Sequence, residues 1–109
     1  METYAPHFTY HGFQYVEVSG IDTPPAVDEI QAYHVYTDLR RKGNFQASDE
    51  LLNWIYDAGI RTFLNNYHGF PEDCPHREKM GWTGDAQLAA ELGLWHYDAK
   101  ENYRSWLNS

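Results

Sequence analysis

The stretch from Glu72 to Asp85, EDCPHREKMGWTGD, cannot continue a regular element. Its apolar residues follow neither a period of two nor one of 3.6, and Pro75, Gly81 and Gly84 interrupt it. A loop between two helices is therefore expected here. It carries four carboxylates (Glu72, Asp73, Glu78, Asp85), the bases Arg77 and Lys79, and the indole of Trp82. So much charge beside one aromatic face marks a candidate site.

Cleavage of a glycosidic bond suits such a set. The departing oxygen needs a proton from a carboxylic acid, and a second carboxylate must activate water or attack the anomeric carbon. Neighbouring carboxylates help keep the acid protonated, because like charges in one cleft resist joint ionisation. Glu78 lies between Asp73 and Asp85, which could supply that field if the loop folds back on itself. Trp82 offers a flat surface for the C–H face of a sugar. Each residue also has a plainer role: Asp85 as a first-turn acid, Asp73 closing a turn, Glu78 as a solvated loop acid and Trp82 as core.

The flanks are read from their periodicity. Phe8 to Val18 and Ala32 to Leu39 are rich in aromatic and β-branched residues and are expected to be strands, with a bulge or bend at His11–Gly12 and a connection through Pro24 and Pro25. Arg40 to Asn44 reads as a basic turn. A helix is expected from about Asp49 to Asn65, capped by Ser48, with Leu51, Leu52, Ile55, Tyr56, Gly59 and Phe63 on one face. Ala86, Leu88, Ala89, Leu92 and Trp95 mark a second helix ending near Tyr97, whose N-terminus would favour an ionised Asp85. Asp98 and Glu101 suggest a capping box for a third, with Tyr103, Trp106 and Leu107 as its apolar face. The chain stops at Ser109 with no Gly or Pro to end that helix, so a cut through it is expected, with the surfaces its neighbours would cover left exposed.

The run DCPHREKMGWTGDAQ, Asp73 to Gln87, resembles the signature of the bacterial α-L-rhamnosidases, inverting glycosidases with an (α/α)6 catalytic barrel. FTYHGFQYVEVSG, Phe8 to Gly20, is similar to the segment that precedes the barrel, and FQASDELLN, Phe45 to Asn53, follows in the family's order. The resemblance implies a mixed fold: residues 1–43 as the last strands of a β-sandwich with a linker, and residues 44–109 as the first helices of the barrel. It further implies Glu78 as the general acid and Asp73, Arg77, Trp82 and Asp85 as residues binding the sugar. The general base would be a glutamate beyond Ser109, so the remainder of the same polypeptide is an implied partner, and the fragment alone is expected not to turn over.

Other readings have less behind them. Eight basic residues against sixteen acidic give a formal charge of −8, which argues against a nucleic-acid partner. A neutral substrate such as a glycoside fits better, and the resemblance implies a rhamnose-containing glycoside or polysaccharide. No apolar run approaches the roughly 20 residues that span a membrane, and no signal-peptide pattern opens the chain. Localisation stays open between cytoplasm and periplasm or medium. The single Cys74 excludes an internal disulfide. With His76 and His68 it lacks the paired spacing of a zinc site, and no cofactor is expected. A Cys–His nucleophile, a carbohydrate-binding or structural module without catalysis, and an (α/α)6 glycosidase of other specificity are the rivals.

Overall fold

The computed structural model describes residues 3–109, built on three α-helices and one turn of 3₁₀ helix at Val27–Glu29. Helix α1 is Glu50–Asn65, α2 is Thr83–His96 and α3 is Lys100–Leu107. The first two pack against each other across the loop that joins them.

Helix α1 begins where expected, but its cap is Asp49 rather than Ser48. The Asp49 carboxylate accepts the Leu51 N–H at 2.8 Å and satisfies one of the free donors of the first turn. Helix α2 starts three residues before Ala86, so Thr83, Gly84 and Asp85 belong to its first turn rather than to the loop. The capping box expected for α3 does not form. Asp98 instead takes the Arg40 guanidinium at 2.7 Å, and the residue before the helix, Ala99, makes no side-chain cap. A carboxylate with a cation in reach has little reason to accept from an amide.

The core is aromatic. Phe63 lies 5.2 Å from the Tyr67 ring and stacks on Tyr97 at 5.6 Å, while Tyr103 meets Tyr67 edge-on at 5.7 Å. Ile60, Leu39, Ala86 and Ala99 complete it. Helix α2 reaches this cluster through Gly93, where a Cβ would stand 2.6 Å from Phe63 Cζ. The buried stripe of α1 thus runs through Ile60 and Phe63, whereas Leu51, Leu52 and Ile55 on the expected face are exposed. Of the apolar residues that mark α2, Leu88 is 87% exposed and Trp95 74%.

The two expected strands are not formed. Among the described residues the only β pairings are isolated bridges, Arg41 with Tyr97 and Tyr67 with Pro71. The segment from Phe8 to Val18 has no ladder partner, and Phe13, Tyr15 and Val16 remain exposed. A strand draws its stability from its neighbours, and two such segments without a surrounding sheet do not supply it. The segment 32–39 instead meets the end of α1, where the Thr37 N–H donates to Tyr67 O at 2.8 Å. Beyond it, the Arg40–Gly43 strap is fastened to the end of α2: Lys42 and Gly43 N–H both donate to His96 O, and Asp98 N–H donates to Arg40 O.

Candidate functional site

The loop between α1 and α2 is closed at a neck. Asp73 N–H donates to Met80 O at 3.0 Å, and Met80 N–H donates back to Asp73 Oδ1 at 2.8 Å. This second bond holds the Asp73 carboxyl below the usual carboxylate range, since an N–H donor favours the ionised form. Inside the neck, Glu78 N–H donates to Cys74 Sγ at 3.2 Å. Lys79 adopts φ of 55°, a left-handed backbone uncommon for a residue with a side chain. Its ammonium donates to Tyr10 O at 2.7 Å and lies 4.4 Å from the centre of the Tyr10 ring.

The five site residues expected from sequence fall into two groups. Glu78 takes a hydrogen bond from Arg77 Nη2 at 3.0 Å and one from Trp82 Nε1 at 3.1 Å, so the candidate acid, guanidinium and indole converge. Its side chain is 42% exposed. The second group, Asp73 and Asp85, lines a cavity of about 410 Å³ between α1 and α2, together with Glu72, Phe63, Leu88 and Leu92. Glu78, Arg77 and Trp82 are not part of that lining. Of the neighbouring acids expected to act on Glu78, Asp73 accepts from the Met80 amide and Asp85 lines the cavity on the α2 side. Arg77 and Glu78, adjacent in sequence, meet as an ion pair.

A third cluster escaped the sequence reading. The Glu72 side chain has no solvent exposure. One oxygen accepts from the Tyr10 hydroxyl at 2.5 Å and the other meets His68 Nδ1 at 2.9 Å, while His68 Nε2 lies 2.8 Å from Val35 O. The Tyr10 ring stacks on the imidazole at 3.8 Å. Burial, then the Glu72 carboxylate, push the Tyr10 hydroxyl above its ordinary range, so it stays a donor. Only the four-residue spacing of His68 and Glu72 hinted at this, and nothing in the sequence pointed to Tyr10. Among the described residues no three His, Cys, Asp or Glu side chains are placed to hold a metal ion. No described helix is long and apolar enough to cross a membrane.

Residues 40–109 match the bacterial α-L-rhamnosidase six-hairpin glycosidase domain, and residues 1–36 the bacterial α-L-rhamnosidase concanavalin-like domain. An α-L-rhamnosidase of Formosa agariphila is 43% identical over 106 residues, covering 97% of this chain and 11% of the relative. One from Alteromonas sp. is 34% identical over 109 residues, with 97% and 12% covered. The structure of an α-L-rhamnosidase from Dictyoglumus thermophilum superposes with a TM-score of 0.89 at 43% identity, over 96% of this chain and 12% of that one. The chain therefore spans roughly a tenth of the length of the relatives it matches.

Proposed function

Since this chain belongs to the bacterial α-L-rhamnosidase six-hairpin glycosidase family, we propose that it is the part of an inverting α-L-rhamnosidase that brings the general acid to the scissile bond. The intact enzyme would remove terminal non-reducing α-L-rhamnose from glycosides or polysaccharides. The observation that carries this reading is the match over residues 40–109, which contains the whole loop from Glu72 to Trp82.

In the proposed reaction Glu78 gives its proton to the departing oxygen. A glutamate elsewhere in the polypeptide, about 6.5–9.5 Å away, draws a proton from a water that attacks from the opposite face. Trp82 is 54% exposed and presents its indole to the sugar. Arg77 donates to hydroxyls, and the ionised Asp73 accepts from them, as does Asp85. To act as an acid, Glu78 must leave Arg77. An exposed ion pair of this kind is worth only about 0.2–1 kcal/mol, so an arriving substrate can displace it.

On this reading residues 1–43 are the last strands and linker of the sandwich, and residues 44–109 the first helices of the (α/α)6 barrel. The unpaired Phe8–Val18 segment and the exposed Leu88, Trp95 and Trp54 are consistent with neighbours that would pair and cover them. The test is Glu78→Gln in the full-length protein, assayed on aryl α-L-rhamnosides and on a panel of other aryl glycosides. With a poor leaving group kcat/KM should fall about 10²–10⁴-fold, the usual contribution of a general acid. Hydrolysis of that substrate at the wild-type rate would remove Glu78 from the role, and preference for another sugar would remove rhamnose.

A further inference from the structure

The buried cluster around Glu72 holds the Glu78 loop by both ends. At the entry, Glu72 accepts from the Tyr10 hydroxyl. Near the exit, Lys79, next to Glu78, donates through its ammonium to the Tyr10 carbonyl. One residue of the N-terminal segment thus grips the loop on either side of the neck formed by Asp73 and Met80. The grip is protected from water at its centre, since the Glu72 side chain is wholly buried and that of His68 nearly so.

Hydrogen-bond accounting fixes a proton in this cluster. The Val35 carbonyl can only accept, so His68 Nε2 carries hydrogen. The contact of 2.9 Å between Nδ1 and Glu72 then needs one more proton, held by the imidazole or by the carboxyl. Either form leaves Glu72 satisfied at both oxygens, which a buried carboxyl requires.

We infer that Tyr10 and Glu72 are positioning residues for the acid, placing Glu78 against the leaving-group oxygen from the N-terminal side of the chain. This rests on the general-acid reading of Glu78. Tyr10 lies in the region that matches the concanavalin-like domain, so the region outside the helical domain has a share in aligning the acid. A displacement of about 1 Å at a reacting group can cost about 10²-fold in rate.

The experiment compares Tyr10→Phe, Glu72→Ala, Glu72→Gln and Glu78→Gln in the full-length protein. The substrates are a dinitrophenyl rhamnoside, whose leaving group needs no proton, and a methoxyphenyl rhamnoside, whose leaving group does. Glu72→Ala should lower kcat on the methoxyphenyl substrate by up to about 10²-fold with KM little changed, and leave the dinitrophenyl substrate within about threefold. Tyr10→Phe, which removes a single hydroxyl, should show the same pattern at roughly tenfold, and it serves if Glu72→Ala does not fold. Glu72→Gln should stay within about threefold on both, because its carbonyl still accepts from Tyr10 and its amide N–H donates to a neutral His68.

Equal losses on both substrates, or a Gln variant as impaired as Ala, would overturn the inference. If Glu78→Gln depends on the leaving group and Glu72→Ala and Tyr10→Phe do not, only the positioning role fails. If Glu78→Gln itself shows no such dependence, the general-acid reading fails and takes this inference with it.

Discussion

Two glycines, one in each helix of the α1–α2 pair, should respond in opposite directions to the same added methyl. At Gly59 in α1 a Cβ would stand 3.4 Å from Leu92 Cδ1, an ordinary van der Waals distance. At Gly93 in α2 it would stand 2.6 and 2.7 Å from Phe63 Cζ and Cε2. The Phe63 ring has nowhere to retreat, being buried against Tyr67 and Tyr97. Replacing Gly by Ala inside a helix contributes about 1 kcal/mol through backbone entropy at either position. Gly59→Ala should therefore stabilise α1 by up to about 1 kcal/mol. Gly93→Ala carries the same gain but adds overpacking of about 1–3 kcal/mol, for a net loss of roughly 0–2 kcal/mol.

The propensity gain cancels in the comparison of the two variants, which leaves the steric cost alone. Hydrogen exchange of the α1 and α2 amides in the full-length protein reads this difference as local opening. A gap of 1–3 kcal/mol corresponds to opening constants roughly 5- to 150-fold apart, with Gly93→Ala the looser. Equal protection in the two variants would mean that α2 does not approach Phe63 this closely.

Three further outcomes follow from the structure. Asp49→Ala should loosen the first turn of α1 by about 0.5–2 kcal/mol while Ser48→Ala leaves it unchanged, read from exchange at Leu51; the reverse order would restore Ser48 as the cap. Because the Asp73 carboxyl is held below its ordinary value, its bond to Met80 is fully present above pH of about 3.9 and is lost as pH falls through the lower folded value. A Met80 amide NMR shift that titrates with a midpoint above that value would contradict this. Gly43→Ala should detach the strap from α2, since a Cβ there would meet Trp95 O at 2.5 Å and His96 Cα at 2.9 Å, both backbone; unchanged exchange at Lys42 and Gly43 would contradict it.

What could be read in advance was local in origin. The three helices and the loop between the first two lie within stretches whose spacing or breakers carry the signal. The errors came where a distant residue competes. Asp98 looked like a cap until Arg40, far away in sequence, proved the better partner. Leu88 and Trp95 fit the apolar pattern of α2, yet Phe63 draws in the Gly93 face instead, because only a glycine lets the ring come so near. The strand signal at Phe8–Val18 was one of composition, and composition cannot provide the partner that a ladder needs. Tyr10 was invisible as a site residue because its partners, Glu72 and Lys79, are more than sixty positions away.

The fastening of Arg40–Gly43 to the end of α2 bears on where this polypeptide can be divided. The two family matches stop and start at residues 36 and 40, the customary place to separate domains for expression. Yet Leu39 is buried among the helices, Thr37 bonds to Tyr67, and the Arg40 carbonyl holds the amide just before α3. Cleavage at that seam would withdraw a hydrophobic plug from the helical half. A protease seeking a slack hinge should find residues 37–43 resistant, and a helical half prepared alone should begin before Thr37.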